Sequence, residues 1–460
     1  MSADSPTAPG SSELPEGAVE PLMAAVTGSR WFAGKGRRPA FRSFTPLPWL
    51  NEPGAVPRVR LAVLEISYAD GGGVEHYQLA LAYGLGESEA TLLFPDGSTT
   101  VHDATQDPRA AQVLLEALLE ERDPSDEHGS VRFHLRDAGP LRADLTPQVF
   151  RGQQSNTSVM FGDVAMLKLF RRLELGRNLD IQVHAALNDA ANPDVAALYG
   201  WAEATWTSGG EVLGADLSMC VEKLADAVDG WDLALDELRA GRAFTDHAAA
   251  LGRALAEIHG ALRTAFGSGG SPGAAVAEVM TARLGAATEV AAELEPYGAG
   301  LRERFGALRG TELEVQRVHG DFHLGQTLHT PSGWKIIDFE GEPAKNLAER
   351  VAPDAVWRDV AGMLRSFDYA AASVPGPGSQ AWRDDCCAAF LDGYTAGRGL
   401  AASDAGRLAA YEADKAVYEV VYEVRNRPDW VSIPLGALAG LAHETTEQHT
   451  HDHTHEGAPR

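Results

Sequence analysis

Residues 318–343 read VHGDFHLGQTLHTPSGWKIIDFEGEP, and the fold and chemistry of the chain follow from how that stretch is parsed. A short apolar lead-in runs into His319-Gly320-Asp321, and an amide, Gln326, stands five positions beyond the aspartate. Pro331-Ser332-Gly333 make a turn, after which the apolar run Trp334-Lys335-Ile336-Ile337 ends on Asp338. The pattern predicts a loop followed by a β-hairpin arm that carries a second carboxylate back beside the first. Phosphoryl transfer needs this inventory. One carboxylate positions a hydroxyl nucleophile and takes its proton late, while an amide oxygen and a second carboxylate hold Mg²⁺ against nucleotide phosphates.

Alone, His-Gly-Asp is common chance sequence, and a Gly-rich turn between strands often carries a stray acid. The spacing of Gln326 and Asp338 is what favours chemistry. His-x-Asp, four residues and an amide, then a hairpin to an aspartate is the kinase catalytic-loop pattern with Gln in place of Asn. Downstream, Asp359-Val360-Ala361-Gly362 heads a predicted helix through Met363, Leu364 and Phe367. In aminoglycoside-phosphotransferase-like kinases an aspartate at this place braces the catalytic loop, so Asp359 is expected to be structural.

The rest of the composition narrows the partners. Of 460 residues, 44% are hydrophobic and 23% charged, ordinary values for a globular chain with a sizeable core. With 39 basic and 65 acidic side chains the formal net charge is −26, which argues against nucleic acid or an anionic membrane surface as partner. ATP remains compatible, because Mg²⁺ and a few local cations carry that contact. Three cysteines, two of them adjacent, make no disulfide framework, and a reducing cytoplasm is expected. Residues 1–17 lack the basic and apolar regions of a signal peptide and are expected to be a disordered lead.

Along the chain, residues 19–27 predict a short helix, and 59–68 and 76–83 predict strands separated by a glycine turn. Between them RWFAGKGR, residues 30–37, lacks the spacing of a P-loop and is read as a clamp of this small α+β unit. Asp107-Pro108 opens a helix, residues 131–135 a strand, and residues 159–161 and 165–170 two strands around a Gly162-Asp163 turn. Ser155, Asn156, Thr157 and Ser158 precede that pair, where kinases place a glycine-rich loop over the phosphates. Lys168, alone in an apolar strand, is the candidate nucleotide-phosphate lysine. Its carboxylate partner stays open: Gln182 stands where a glutamate is expected, with Asp180 and Glu174 as substitutes. Glu222 and Leu224 lie where a strand enters a linker, the place of an adenine-binding hinge. Beyond it the chain turns helical, with Thr245-Asp246 capping a helix on which His259 is a core or capping residue. Further helices are expected over 274–294, 357–372, 381–396 and 404–424.

The last helix carries Asp414, Tyr418, Tyr422 and Arg425 at i, i+4, i+8 and i+11. Such a face suits a sugar, with aromatic planes over the ring and fixed acids on its hydroxyls, although tyrosines as core filler would give the same pattern. The alternating histidines of the tail, residues 441–460, are given no role.

RWFAGKGR, QSNTS before the lysine strand, HGDFHLGQ, DFEGEP and YEVVYEVRNRPDW together resemble the actinobacterial maltokinases over residues 20–440. The resemblance implies a bilobal protein-kinase-like (aminoglycoside-phosphotransferase-like) α+β fold with an additional N-terminal α+β cap domain. The implied organisation is a cap at 18–90, an N-lobe with Lys168 at 91–222 and a mostly helical C-lobe at 223–440. It further implies ATP- and Mg²⁺-dependent phosphorylation of the anomeric hydroxyl of maltose to α-maltose 1-phosphate for α-glucan (glycogen) synthesis. Partner enzymes of trehalose- and maltose-to-glucan conversion would follow. By the resemblance Asp321 is the base, Gln326 and Asp338 are the Mg²⁺ ligands, and Lys168 contacts the nucleotide phosphates. His323, Asp414, Tyr418, Tyr422 and Arg427 are the expected sugar residues. Two alternatives stand beside this reading: a glucosamine kinase of the same fold, and a non-catalytic kinase-fold binding protein.

Overall fold

The computed structural model of the chain describes residues 14–149, 156–342 and 345–441. The chain is a mixed α+β protein that divides into two compact units, Met1–Gln182 with Ala196–Ala225, and Val183–Val195 with Asp226–Arg460.

The first unit holds two antiparallel sheets. Helix α1 (Val19–Gly28) buries Leu22 and Val26, one turn apart, against the first sheet. That sheet is built on strands β1 (Pro39–Trp49), β2 (Arg58–Tyr68) and β3 (Val74–Tyr83). Strand β2 is buried continuously from Leu61 to Ile66, as a strand covered on both faces must be. Strand β1 is among the strands the sequence did not predict. Its Pro46 and Pro48 argue against a strand, but β1 lies at the sheet edge, where proline costs no ladder bond. Strands β4 (Leu92–Asp96) and β5 (Thr99–Asp103) extend the same sheet, with β5 paired to Leu81, Ala82 and Tyr83 of β3. The expected boundary at residue 90 is therefore displaced, because the open side of β3 takes its partner from Val101 to Asp103. Within residues 30–37, Trp31 and Phe32 pack on Tyr77, and Arg37 grips Asp70 through Nε and Nη2 at 2.8 and 2.9 Å.

Helix α2 (Pro108–Leu119) starts as its sequence predicts, with the Asp107 carboxylate accepting the Arg109 N–H and Pro108 in the first turn. The second sheet follows, made of β6 (Ser125–Asp126), β7 (Gly129–Leu135), β8 (Pro147–Val149), β9 (Thr157–Phe161), β10 (Ala165–Leu169), β12 (Leu198–Ser208) and β13 (Glu211–Glu222). Its order is β6-β7-β12-β13-β10-β9-β8. A short strand β11 (Arg172–Leu173) pairs instead with β3 of the first sheet. Beside it the buried Arg171 guanidinium reaches Asp103, Thr105 and Thr157 at 2.6, 3.0 and 2.7 Å. Helix α3 (Leu179–Asp189) comes between β11 and β12.

In the second unit β14 (Val228–Asp229) leads into α4 (Gly230–Arg239), α5 (Thr245–Phe266), β15 (Ser268–Pro272), α6 (Gly273–Val290) and α7 (Gly298–Gly306). Strand β16 (Glu312–Gln316) pairs with β15, and the hairpin β17 (Thr327–Thr330) and β18 (Gly333–Ile336) joins β14. Helices α8 (Leu347–Val351), α9 (Trp357–Ser373), α10 (Ser379–Tyr394) and α11 (Ala402–Asn426) complete it. Helix α5 differs from expectation at its start. Phe244 is the N-cap without a side-chain bond, and Thr245 and Asp246 lie inside the first turn, where the acid faces the positive helix end. Helices α5 and α10 pack backbone to backbone. A Cβ on Gly252 would stand 2.1 Å from the Phe390 carbonyl oxygen, and one on Gly393 2.1 Å from that of Ala249.

Candidate active site

The backbone of the Asp321 loop is fixed from behind by α9. Asp359, in the first turn of that helix and fully buried, accepts the N–H groups of His319 and Gly320, both at 2.8 Å. His259 of α5 bridges the same carboxylate at 2.8 Å and the Tyr394 hydroxyl of α10 at 3.0 Å. Burial pushes the Asp359 carboxyl up, but the His259 bond and charge, with His319 and the Gly320 N–H, outweigh it and hold the group below the ordinary carboxylate range. The anion thus ties together the loop and two helices. Gly320 sits at φ +87°, a conformation side chains resist, and Gly362 lets α9 come in so close that a Cβ there would lie 2.4 Å from the Phe322 carbonyl oxygen. Ser366 of α9 takes the Leu324 N–H at 3.1 Å.

In front of this brace stand the candidate reactive groups. Asp321 is partly exposed, and its Oδ1 pairs with Lys415 Nζ of α11 at 3.2 Å. Burial raises the Asp321 carboxyl; Lys415, His323 and His319 more than reverse this, leaving it below its usual value and ionised near neutrality. His323 turns Nδ1 to the Gly325 N–H at 3.1 Å, and burial pushes its pKa down, so the ring is neutral and fixed in the loop. Gln326 and Asp338 converge as the hairpin requires, with Gln326 Nε2 3.4 Å from Asp338 Oδ2. Asp338 holds φ +64°, a strained value for a non-glycine residue that is tolerated where a side chain must be aimed. The carboxylates of Asp338 and Glu340 come within 4.8 Å of each other. Two carboxylates are hard donors that fit Mg²⁺, and Gln326 would add its amide oxygen if the amide turned over.

A cavity of about 420 Å³ opens beside Lys415. Asp414, Lys415 and Tyr418 of α11 line it, with Arg283 of α6, Glu342 and Arg358. Asp414 is 3% exposed and ion-paired through Oδ2 with Arg283, while its Oδ1 is buried without a hydrogen-bond partner. Burial raises the Asp414 carboxyl against the pull of Arg283 and Arg358.

Of the predicted sugar residues, Asp414 and Tyr418 line this cavity, whereas Tyr422 and Arg427 do not. Tyr422 is 44% exposed, and Arg427 folds back on Glu423 at 2.6 Å and over the Trp430 ring. Steps of four residues overrun a 3.6-residue turn by roughly 40° each, so the cavity stripe continues through Val421 and Arg425 instead of Tyr422.

The expected nucleotide residues belong to the first unit. Lys168 stands on β10 opposite Ser158 of β9 and Met219 of β13, and its Nζ is 3.2 Å from Asp180 in the first turn of α3. Asp180 is thus the lysine's acid, while Gln182 bonds the Arg177 carbonyl at 3.2 Å. Ser155 lies outside the described residues. Asn156 and Thr157 both bond Arg171, through its N–H at 3.3 Å and its Nε at 2.7 Å, and Ser158 is 1% exposed on its strand. Glu222 exchanges bonds with Ala197, and Leu224 follows the end of β13, half-buried.

Lys415, Arg283, Glu342 and Arg358 had been given no part in the site. Lys415 had a legible signal, a lysine set among buried apolar positions of a helix. The others come from segments far apart in the chain.

Residues 219–411 match the phosphotransferase enzyme family, and residues 26–118 match the maltokinase N-terminal cap domain. The chain has a kinase-like fold, with a phosphotransferase-family segment following a maltokinase-type cap segment. The glucosamine kinase of Streptacidiphilus jiangxiensis is 29% identical to this phosphotransferase over 393 residues, 76% of this chain and 85% of the relative. The glucosamine kinase of Mycolicibacterium smegmatis is 28% identical over 376 residues, 73% and 88% of the two chains. A solved glucosamine kinase in complex with glucosamine, ADP and inorganic phosphate superposes with a TM-score of 0.65 at 23% identity, over 91% of this chain and 98% of that one. That likeness establishes the fold. Among the described residues of the phosphotransferase no helix is long and apolar enough to cross a membrane, and all three cysteines are free and buried.

Proposed function

We propose that this phosphotransferase is a sugar kinase that transfers the γ-phosphoryl group of ATP to the anomeric hydroxyl of maltose, giving α-maltose 1-phosphate for α-glucan (glycogen) synthesis. The observation that carries the reading is the cavity of the second unit, where the orphaned Oδ1 of Asp414 lies one residue from Lys415 and its partner Asp321. A buried carboxylate oxygen without a donor gains most from a ligand hydroxyl, and the neighbouring Asp321 is placed to orient a second hydroxyl of the same ring. In the reaction Asp321 holds the anomeric O–H for in-line attack and receives its proton as the new P–O bond forms and the bond to ADP breaks. Gln326 and Asp338 would hold Mg²⁺, which supplies charge neutralisation at the phosphates when bound. Lys168, fixed by Asp180, would contact the nucleotide phosphates.

The cavity charge favours a neutral sugar. Five cations, Arg283, Lys345, Arg358, Lys415 and Arg425, face three acids, Glu342, Glu349 and Asp414, in its lining. Asp414 and Glu342 already face cations, Asp414 at Arg283 and Glu342 at Lys345 and Arg358, so little negative field remains for an ammonium group. Glucosamine is the second reading, favoured by the names of the relatives. A coupled ADP-release assay with Mg-ATP and maltose, glucose, glucosamine or trehalose decides between them. Maltose-dependent turnover with an acid-labile product supports the proposal, and turnover with glucosamine alone overturns the choice of sugar. Absence of turnover with every sugar overturns the kinase reading.

A further inference from the structure

We infer that Lys415 is a positioning residue of the phosphoryl transfer, which clamps the Asp321 carboxylate in its reactive orientation and joins it mechanically to the sugar cavity. The inference rests on Asp321 being the base, as proposed above.

Lys415 lies on α11 among Ala413, Ala416 and Val417, each 0% exposed, a place where a lysine kept for solubility would not stand. Its Nζ reaches Asp321 Oδ1 at 3.2 Å, over the ring of Tyr418 at 5.2 Å. With Oδ1 engaged by Lys415, Oδ2 is the oxygen left for the incoming hydroxyl. Asp414, the preceding residue, lines the cavity. One turn of one helix therefore touches both the sugar pocket and the base.

That helix is itself pinned to the brace. Arg365 of α9 bonds Glu419 of α11 through Nε and Nη2 at 2.9 and 2.7 Å, and Tyr369 of α9 donates to Glu423 at 2.9 Å. Helix α9 thus holds the backbone of the Asp321 loop through Asp359 and holds α11, which holds the Asp321 side chain. Burial works against the Lys415 charge, but Asp321, Glu342 and Glu419 outweigh it and keep the lysine protonated. The titratable groups facing Asp321 are Lys415, His323 and His319. A lysine so placed lowers the basicity of Asp321, which suits a loose transition state in which the nucleophile's proton leaves late. Lys415 stays protonated throughout. The proton passes from the sugar hydroxyl to Asp321, the sugar oxygen bonds the γ-phosphorus, and ADP leaves with the electron pair of the broken bond.

The test compares the wild-type enzyme with Lys415→Met, Lys415→Arg and Asp321→Asn, using Mg-ATP and the sugar that the wild type turns over. Lys415→Met should lower kcat by about 10- to 100-fold, a modest part of what general-base catalysis contributes, with the KM for ATP within about twofold of wild type. The acid limb of its kcat–pH profile should move to higher pH, and Lys415→Arg should recover most of the rate. Should Met at this site unfold the chain, Lys415→Gln, which keeps length and polarity, carries the same expectation. A kcat within about twofold of wild type overturns the inference. So does a loss with an unmoved acid limb and no recovery in the arginine variant, the signature of simple misfolding. Asp321→Asn separates the two readings: if it stays active, the assignment of the base has failed, and if it is inactive while Lys415→Met is not, only the role of Lys415 has.

Discussion

Two lysine–carboxylate pairs, each at 3.2 Å, stand in the two units, and they differ in how the chain makes them. Lys168 and Asp180 are 12 residues apart, on a strand and on the first turn of the next helix. Lys415 and Asp321 are 94 residues apart, on a helix and on a loop that a second helix holds from behind. Asp180 is 4% exposed beside its lysine, whereas Asp321 keeps 19% of its side chain open. The same ion pair therefore serves two ends. In the roles proposed for them, the acid of the first pair positions the lysine, and the lysine of the second positions the acid.

The comparison can be broken at each member. The largest effect is expected at Asp321: Asp321→Asn should lower kcat by about 10³-fold, within the range of general-base catalysis, while the unfolding midpoint falls only modestly through loss of the Lys415 pair. Near-normal turnover would mean that the acid of the second pair is as passive as that of the first.

Next comes the brace. Asp359→Ala leaves the His319 and Gly320 N–H groups and His259 without their acceptor, and should cost about 3 kcal/mol in denaturant unfolding. Because Asp359 and Asp321 are both held below their ordinary value, the stability they lend is complete above about pH 4 and is lost as the pH falls through their lowered folded values. The Asp359→Ala variant should show a flatter loss of stability on acidification. An unchanged acid limb would show that the anion is not what ties the helices together.

Lys168→Met should raise the KM for ATP about tenfold, the cost of one charged hydrogen bond, and leave the KM for sugar unchanged. Asp180→Asn should shift the same constant less. Effects on the sugar constant instead would exchange the roles assigned to the two pairs. The smallest effects separate positions on α11. Asp414→Ala should raise the sugar KM about tenfold, but Tyr422→Ala less than twofold, since Tyr422 faces away from the cavity. Equal losses would return the sugar to the face that four-residue spacing suggests.

Much of the site was legible because its parts are close in sequence. His319 to Asp338 forms one loop and one hairpin, so spacing alone predicts that Gln326 and Asp338 converge. Asp359 was readable as a brace through its likeness to the aspartate at that place in aminoglycoside-phosphotransferase-like kinases. The partner of Lys168 was not readable, because Glu174, Asp180 and Gln182 lie within about two turns and spacing does not say which way the helix faces. Strand β1 was hidden by its prolines, whose meaning depends on whether a strand lies at an edge. The boundary at residue 90 failed for a related reason, since a loop gives no sign that the strands after it return to the same sheet.

The sequence by itself determined the kinase-like class, the Asp321–Gln326–Asp338 loop and the lysine strand, all carried by local patterns of a few turns or one hairpin. Only the tertiary structure decided that α11 lends Lys415 to Asp321, that Asp414 is buried against Arg283 with one oxygen open to a cavity, and that Tyr422 and Arg427 face elsewhere. The reason is geometric. Which residues of a helix meet a distant loop depends on the helix's rotation about its axis, and that rotation is set by packing against other helices.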